Sequence, residues 1–297
     1  MNAKLLDGIE AGKVIEKELS EKIIYLKQKK IIPSLAVILV GADKPSHTYV
    51  QLKHKKCQEL GISSKVYKFE ENIGEKNIID LINELNNDDN IHGILVQLPL
   101  PKNYNQNNII DSIFPEKDVD GFHPLNIGKL AIGKPDFISC TPYGVIKLLE
   151  YYNIPVKGKN AVIIGCSNVV GKPMGLLLQI CEIATCTICH LHTKNIKEHT
   201  LNADLIISAA GSPNLIKSDM VKKNCVVIDV GFNVSEIVDS NGGIIRKING
   251  DVDFENVKNI ASYITPVPGG VGPMTITMLM YNTVKSCFLK HNLMNFS

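Results

Sequence analysis

Short apolar runs alternate with segments of helical periodicity along the first third of the chain. The predicted elements are, in order, strand Leu35–Val40, helix Ser46–Leu60, strand Lys65–Phe69, helix Asn77–Leu85 and strand Gly93–Leu98. Strands that are separated by helices are typical of a parallel sheet with crossover connections. The pattern therefore predicts an α/β fold for this part of the chain.

The alternation stops in a Gly-, Pro- and Asp-rich stretch at 118–133 and begins again at Thr141-Pro142. Thr141 is expected to be the N-cap of a helix and Pro142 its first residue. The elements predicted after it are strand Ala161–Ile164, a helix from about Val170, strands Thr185–His190, Asp204–Ala209 and Val226–Val230, and a last helix at about Pro273–Leu289. The sequence thus predicts two α/β domains: 1–140 with 273–297, closed by the last helix, and 141–272.

Composition excludes several classes of protein. The 297 residues are 44% hydrophobic and 21% charged, as in globular chains. The net charge of +2 is too small for wholesale binding of nucleic acid, and no apolar run reaches the ~18 residues that a membrane span needs. Acidic residues among the N-terminal lysines argue against a targeting peptide, so a cytoplasmic location is expected, with the eight cysteines reduced.

The turn after the predicted strand Ala161–Ile164 reads GCSNVVGKP at 165–173. Small residues in such a turn let the backbone approach a pyrophosphate, which the N–H groups at the helix start bind. Ser167 and Val170 replace the second and third glycines of the usual fingerprint, so a dinucleotide site and a plain structural turn are both open on this motif alone.

The next predicted strand ends at His190–Lys194, where no acidic residue is present. An NAD site usually has an Asp or Glu there to hold the ribose hydroxyls. His192 and Lys194 can instead attract a 2′-phosphate, which favours NADP.

Tyr49, Lys53 and Lys56 share one face of the predicted helix Ser46–Leu60, because they are spaced at i, i+4 and i+7. The face is either a solvated lysine surface or a phenol and an amine that point together into a cleft. In the second case Lys53 can act as a general acid or base.

Polar residues follow the third predicted strand. Gln97 stands at its carboxyl end, where the side chain either orients a ligand or is simply the first exposed residue. Asp118 and Asp120 flank a valine in a later loop, too sparse a set for Ca²⁺. One of them can accept hydrogen bonds from an amino-heterocycle, and the alternative is an ordinary turn.

A segment rich in glycine and proline, Thr265–Thr275, precedes the last predicted helix. A loop with so few side chains lets a flat ligand lie against the backbone, although it also suits a crossover between domains.

The C-x-x-C-H pattern at 186–190 resembles a haem attachment site, but it lies in a predicted strand, whose positions three apart face opposite ways. We therefore expect no haem and no metal site.

Taken together, these segments resemble the bifunctional methylenetetrahydrofolate dehydrogenase/methenyltetrahydrofolate cyclohydrolase (FolD) family. The resemblance runs from about residue 5 to 290 in the expected order. The matching segments are YVQLKHK at 49–55, GILVQLPLP at 93–101, KDVDGFHPLNIGKL at 117–130, TPYGVIKLL at 141–149, GCSNVVGKPM at 165–174, VVIDVGFN at 226–233, GDVDF at 250–254 and ITPVPGGVGPMT at 264–275.

The resemblance implies a folate-binding catalytic domain and a Rossmann-like NAD(P)-binding domain with a cleft between them, in a homodimer built through the second domain. The implied catalytic residues are Lys53, Gln97, Tyr49 and Asp120. The implied folate-binding residues are Tyr49, Val50, Gln51, Leu52, Lys53, Val96, Gln97, Leu98, Asp120, Pro268, Gly269, Gly270, Val271 and Gly272. The implied cofactor-binding residues are Gly165, Cys166, Ser167, His192 and Phe232.

The implied reactions are oxidation of 5,10-methylenetetrahydrofolate with NADP and hydrolysis of the methenyl product to 10-formyltetrahydrofolate. Many relatives carry an arginine where Cys166 stands and a serine where Leu191 stands, so NAD stays open as the cofactor. Lys172, His192 or Lys194 are candidates to replace the arginine. Alternatives are a monofunctional dehydrogenase, a non-catalytic folate- or nucleotide-binding module, and a shikimate-type dehydrogenase, which lacks the Gly/Pro segment.

Overall fold

A computed structural model describes residues 2–238, 244–293 and 296. The chain divides into two compact units, which we name by their sheets. The three-stranded unit consists of Lys13–Cys140 and Ile276–Ser297, and the six-stranded unit of Met1–Gly12 and Thr141–Thr275. The prediction of two α/β domains is confirmed.

The three-stranded unit has a parallel sheet in the order β3-β2-β4. Its elements are α1 (Gly8–Gln28, which begins in the other unit), β2 (Ser34–Val40), α2 (Lys44–Leu60), β3 (Ser63–Phe69), α3 (Glu75–Asn87), β4 (Gly93–Val96), α4 (Gln106–Asp111) and α5 (Pro124–Ala131). Every residue of β2 is buried, as its unbroken apolar run predicts. The long helix α10 (Val271–Lys290) begins in the six-stranded unit and continues here.

Helix α2 is fixed at both ends by local sequence. The carboxylate of Asp43 accepts the backbone N–H of Ser46 at 2.9 Å, and Pro45 lies in the first turn. Asp43 is thus the N-cap, and the helix begins two residues before the predicted start at Ser46. Gly61 ends it with a φ of 79°, a left-handed conformation that suits glycine.

The six-stranded unit has a parallel sheet in the order β1-β11-β8-β7-β5-β6. Its elements are β1 (Lys4–Leu5), α6 (Cys140–Tyr151), β5 (Asn160–Ile164), α7 (Gly171–Ile180), β6 (Thr185–Cys189), α8 (Ile196–Leu201), β7 (Leu205–Ser208), β8 (Val226–Asp229), β9 (Asn233–Val238), β10 (Ile244–Asn249), α9 (Phe254–Val257) and β11 (Tyr263–Ile264). Within the part of the chain that the structure describes, strands β9 and β10 pair with each other and with no further strand, as an antiparallel ribbon.

The N-terminal residues differ from the predicted division of the chain. Lys4 and Leu5 pair in parallel with Tyr263 and Ile264, so the first twelve residues pack with the six-stranded unit and not with the three-stranded one. Two residues of sheet leave almost no period to detect, which is why the sequence does not reveal this strand.

Thr141 is not a helix N-cap, contrary to the prediction. Helix α6 already begins at Cys140, and the Thr141 hydroxyl lies 3.0 Å from the hydroxyl of Thr275.

Among the described residues, no helix combines the length and the apolar composition that crossing a membrane requires.

Candidate active site

Lys53 is buried in the three-stranded unit, with 8% of the residue exposed. Its Nζ donates a hydrogen bond to Oε1 of Gln97 at 3.0 Å. Gln97 directly follows β4, and its Nε2 donates to the carbonyl oxygen of Leu98 at 2.7 Å. That second bond fixes the amide so that its oxygen faces the lysine. The interpretation of Lys53 as part of a solvated lysine face is therefore wrong.

The other residues on this helix face differ from one another. Tyr49, one turn before Lys53, is half-buried, and burial raises the pKa of its phenol. Lys56 instead pairs with Glu16 at 2.9 Å and Glu59 at 3.0 Å. Burial alone would lower the pKa of Lys56, but its bonds to the two carboxylates raise it overall. Lys56 is thus engaged away from the Lys53–Gln97 pair.

The two acidic residues at 118 and 120 have different surroundings. Asp118 is buried, and its carboxylate accepts the backbone N–H groups of Phe122 and His123, at 3.2 and 2.8 Å, and the Asn126 amide at 2.8 Å. Burial raises its pKa, while these bonds oppose the shift. Asp118 therefore organises the turn and has little capacity left for a ligand.

Asp120 is half-buried, and burial raises its pKa to about 6. The positive charge of Lys53 acts in the opposite direction and favours the carboxylate form. This electrostatic coupling indicates that the ammonium group and the carboxyl group belong to one site.

Helix α10 supports the loop that carries Asp120. Nδ2 of the buried Asn282 donates to the carbonyl oxygens of Val119 and Ile138, at 2.8 and 3.0 Å. It also lies 3.6 Å from the sulfur of Cys140, whose backbone N–H donates to the Asp120 carbonyl at 3.3 Å. Sequence reasoning missed Asn282, because an asparagine inside a predicted helix normally faces solvent.

The remaining residues expected near the folate lie as follows. Val50 and Val96 are buried, Leu98 is half-buried, and Gln51 and Leu52 are exposed. Pro268–Gly272 belongs to the six-stranded unit, whereas Lys53, Gln97 and Asp120 belong to the three-stranded unit. A Cβ on Gly8 would lie 1.8 Å from the carbonyl oxygen of Gly270, so the backbone at 270 is closely approached.

The turn after β5 is a tight strand-to-helix turn that depends on two glycines. Gly165 has a φ of 113°, and a Cβ on Gly171 would lie 1.9 Å from the Gly165 carbonyl oxygen. The hydroxyl of Ser167 accepts the backbone N–H of Val170 at 3.1 Å and so stabilises the turn, while Cys166 is exposed. The role of Gly171 was missed, because it stands one position after the third glycine of the usual fingerprint.

This turn lies at the switch point of the six-stranded sheet. Strand β5 has β6 on one side and β7 on the other, so successive connections leave it in opposite directions. Ligands of open α/β sheets bind beyond the carboxyl ends of the strands at such a point. The carbonyl oxygen of Ala209, directly after β7, lies 2.2 Å from where a Gly165 Cβ would be. The segments that follow β5 and β7 are therefore in close contact at Gly165.

The other residues expected near the cofactor are more exposed. His192 follows β6 and donates its backbone N–H to Nδ1 of His190 at 3.1 Å. The neighbouring Leu191 is 93% exposed, and Lys194 is exposed. Phe232, between β8 and β9, is 38% exposed. Lys172 is bonded to the Asn168 side chain at 2.7 Å.

One cluster in the three-stranded unit has metal-ligand chemistry. His92, Cys287 and His291 place ligand atoms within 4.8 Å of one another. However, Nδ1 of His92 accepts the backbone N–H of Ser34 at 3.2 Å, so Nε2 bears the proton of the neutral ring and points at His291 Nε2, 3.4 Å away. Burial also raises the pKa of the Cys287 thiol to about 12. The lone pair of His291 Nε2 thus accepts the His92 proton, and the Cys287 thiol keeps its own proton, so the cluster offers no set of three free lone pairs to a metal ion.

Family models cover most of the chain. The catalytic-domain model of the tetrahydrofolate dehydrogenase/cyclohydrolase family matches residues 6–120, and the NAD(P)-binding-domain model of the same family matches residues 139–291. The chain belongs to the tetrahydrofolate dehydrogenase/cyclohydrolase family. The resemblance drawn from the motifs is thereby confirmed.

Individual members of this family match over nearly full length. The bifunctional protein FolD of Campylobacter jejuni (strain RM1221) is 54% identical over 283 residues, which cover 95% of this chain and 97% of the relative. A crystal structure of the C. jejuni bifunctional FolD methylenetetrahydrofolate dehydrogenase/cyclohydrolase is 52% identical, with a TM-score of 0.88 over 96% of this chain and 98% of that one.

A more distant structure shares the fold just as closely. The methylenetetrahydrofolate dehydrogenase-cyclohydrolase FolD of Trypanosoma brucei, complexed with NADP cofactor and an inhibitor, is 34% identical. Its TM-score is 0.92 over 99% of this chain and 100% of that one. This chain therefore contains both domains of the family.

Proposed function

We propose that this protein oxidises 5,10-methylenetetrahydrofolate to the 5,10-methenyl cation with NADP and hydrolyses that cation to 10-formyltetrahydrofolate. The observation that carries the proposal is the hydrogen bond of the buried Lys53 to Gln97, with the charge of Lys53 acting on Asp120. A solvated surface lysine does not need a fixed amide acceptor and a half-buried acid within the reach of its charge. Membership of the family and the close relatives named FolD support both activities.

The three-stranded unit supplies the residues for the folate. Asp120 accepts hydrogen bonds from the amino edge of the pterin, because its carboxylate is the acceptor that such an edge requires. Tyr49 stacks its ring against the folate, and its raised phenol pKa keeps it neutral there.

Lys53 moves the protons of the hydrolytic step. Water adds to the methenyl carbon and gives up one proton. The bond from that carbon to N5 then breaks, the hydroxyl proton moves to N5, and the formyl group stays on N10. Lys53 Nζ is the group that carries these protons, and the Gln97 oxygen orients it.

The turn after β5 fits a dinucleotide. Close backbone packing leaves no room for a Cβ at Gly165 or Gly171, and the turn they shape opens α7 at its N-terminus. Gly165, Cys166 and Ser167 hold the pyrophosphate side, and Phe232 lies beside the nicotinamide half. When it is bound, NADP supplies the hydride acceptor.

NADP is preferred to NAD because no acidic side chain follows β6, and because His192 and Lys194 are exposed there. Cys166 and Leu191 do not provide the arginine and serine that many relatives have. The preference is tested by comparing turnover with NADP and with NAD at equal cofactor concentrations. A strong preference for NAD would contradict it.

The function is tested by a spectrophotometric assay with methylenetetrahydrofolate and each nicotinamide cofactor, followed by the decay of methenyltetrahydrofolate. Lys53→Met is expected to abolish hydrolysis because the proton carrier is lost. Lys56→Met is the matched control, since Lys56 is engaged with Glu16 and Glu59, and it should keep normal hydrolysis. Normal hydrolysis by Lys53→Met would refute the assignment, and accumulation of methenyl product in the wild type would indicate a monofunctional dehydrogenase.

A cytoplasmic homodimer built through the six-stranded unit is part of the proposal. All eight cysteines are free, which suits a reducing compartment. Strand β6 ends the order of the six-stranded sheet; Ile183, just before it, is 61% exposed, and Ile188, within it, is 38% exposed. An uncovered strand edge with apolar neighbours is a surface that a second copy can cover.

A further inference from the structure

Five hydrogen-bond donors converge on the carboxylate of Asp251, which is completely buried in the six-stranded unit. Three are the successive backbone N–H groups of Ala210, Gly211 and Ser212, at 2.7, 3.1 and 2.9 Å. The other two are the Asn233 amide at 3.0 Å and the Ser208 hydroxyl at 3.3 Å. Asp251 thus holds the segment after β7 and, through Asn233, the segment after β8.

The surrounding backbone is shaped to admit this carboxylate. A Cβ on Gly231 would lie 2.3 Å from Oδ1 of Asp251, so no larger residue fits there. Asp229, at the end of β8, accepts the backbone N–H groups of Gly231 and Asp251, both at 2.9 Å. The two buried carboxylates therefore fix the ends of β7 and β8 relative to each other.

The segment that Asp251 holds borders the dinucleotide turn. Ala209 donates its backbone N–H to the Ile164 carbonyl at 2.7 Å, and its own carbonyl oxygen closely approaches Gly165. Asn233 is adjacent in sequence to Phe232, the residue placed beside the nicotinamide half. One carboxylate thus fixes two backbone segments at the carboxyl edge of the sheet, beside the switch point.

We propose that Asp251 is a positioning residue for the dehydrogenase step: its carboxylate holds the 208–212 and 231–233 segments in the geometry that receives the nicotinamide half of the dinucleotide. This inference rests on the proposed function. It concerns only the dinucleotide half of the chemistry, because every contact of the Asp251 side chain lies in the six-stranded unit. Hydrolysis uses Lys53, Gln97 and Asp120 of the other unit.

Asp251→Asn tests the proposal, because the amide keeps the shape but replaces one acceptor oxygen with N–H donors that face other N–H groups. Misplacement of a reacting group by about 1 Å costs about 100-fold in rate. We expect a loss of this order in kcat/KM for NADP in the dehydrogenase assay. Methenyltetrahydrofolate hydrolysis by the same preparation should stay within about twofold of the wild type, a difference of less than ~0.5 kcal/mol.

Asp204→Asn is the matched control. Asp204 precedes β7 at the opposite edge of the same sheet, where its carboxylate accepts the Asn160 backbone N–H at 3.1 Å and the Lys222 ammonium at 2.7 Å. The Asp204→Asn variant also loses a carboxylate that accepts a backbone hydrogen bond, yet it should leave the KM for NADP unchanged. Equal losses of dehydrogenase activity in the two variants would overturn the specific role of Asp251.

Asn233→Ala provides a milder second variant in case Asp251→Asn folds poorly. It removes a single donor from the Asp251 carboxylate, and one hydrogen bond corresponds to about tenfold in an equilibrium. We expect kcat/KM for NADP to fall by about tenfold with hydrolysis retained. Unchanged NADP kinetics in both variants, or a parallel loss of both activities in both, would overturn the proposal. A wild type without dehydrogenase activity would refute the proposed function instead.

Discussion

At the scale of single residues, two aspartates separated by one valine have opposite tasks. The Asp118 carboxylate is already hydrogen-bonded within the protein, because it accepts from two backbone N–H groups and a side-chain amide. Asp120 is only half-buried and lies within the field of Lys53. The assignment of the pterin-binding role to Asp120 therefore follows from what each carboxylate is bonded to.

The pKa of Asp120 predicts the pH dependence of folate binding. Burial raises this pKa to about 6, so the carboxylate form dominates at pH 7 and about nine-tenths of the groups are protonated one unit below the pKa. A protonated carboxyl accepts hydrogen bonds poorly, so the KM for methylenetetrahydrofolate should rise as the pH falls through about 6.

Asp120→Asn provides the comparison for this pH profile. It should bind folate more weakly at pH 8, and its KM should show no step near pH 6, because the titrating group is gone. The KM for NADP, measured in the same series, controls for effects on the other substrate. A step near pH 6 that survives in Asp120→Asn would assign the titration to another group.

At the scale of elements, close backbone packing at the start of α7 predicts which glycine is essential. Gly171→Ala places a methyl group 1.9 Å from the Gly165 carbonyl oxygen, so the dinucleotide turn must open. We expect dehydrogenase activity to fall by about 100-fold, as for a misplaced reacting group, with hydrolysis retained.

Gly128→Ala is the control for Gly171→Ala. Gly128 lies inside α5, and a Cβ there would meet no atom within 4 Å. This variant should keep both activities and raise the free energy of unfolding by about 1 kcal/mol, because alanine is the better helix former. Full dehydrogenase activity in Gly171→Ala would contradict the fit of the turn to a dinucleotide.

Helix α10 contributes to stability through Asn282, which bonds two carbonyl oxygens of the Asp120 loop. Asn282→Leu keeps the size but removes the amide donor from both carbonyls and leaves that of Val119 with only the Cys140 thiol, at a cost of about 2 kcal/mol in the free energy of unfolding measured with urea. Thr283→Val is the matched control, because the Thr283 hydroxyl bonds only to Leu279 of its own helix. Thr283→Val should lower the free energy of unfolding by about 1 kcal/mol or less. An equal loss in the two variants would show that the contact of Asn282 with the Asp120 loop does not stabilise the protein.

Sequence periodicity predicts the long elements well and the connections poorly. The strands corresponding to β2, β3, β5 and β8 and the helix α2 are confirmed within two residues or so, because their apolar patterns are strong. The short β1 and the β9–β10 ribbon were missed, since β1 has only two residues and the ribbon, as far as the described residues go, is no part of either large sheet. Likewise, the motifs predict Lys53 and Gln97, whereas Asp251 and Asn282 act through backbone groups, which leave no pattern in the sequence.

At the scale of the whole molecule, the free edge of the six-stranded sheet predicts how two copies associate. Strand β6 pairs with β5 on one side, and the sheet order ends with it. Thr187, in the middle of β6, is exposed although it lies in a strand. An uncovered edge strand can pair with a strand of another chain unless a charged residue or a proline prevents it, and β6 contains neither.

We therefore expect the protein to have twice the 32.7 kDa mass of one chain in size-exclusion chromatography with light scattering. Thr187→Lys places a charge at the centre of this edge and should shift the mass towards that of a single chain. Asn83→Lys adds the same charge to the exposed side of α3 in the three-stranded unit and should leave the mass unchanged. A single-chain mass for the wild type would refute the dimer, and a Thr187→Lys dimer of unchanged stability would place the interface away from β6, because a lysine cannot be buried unpaired without weakening the contact.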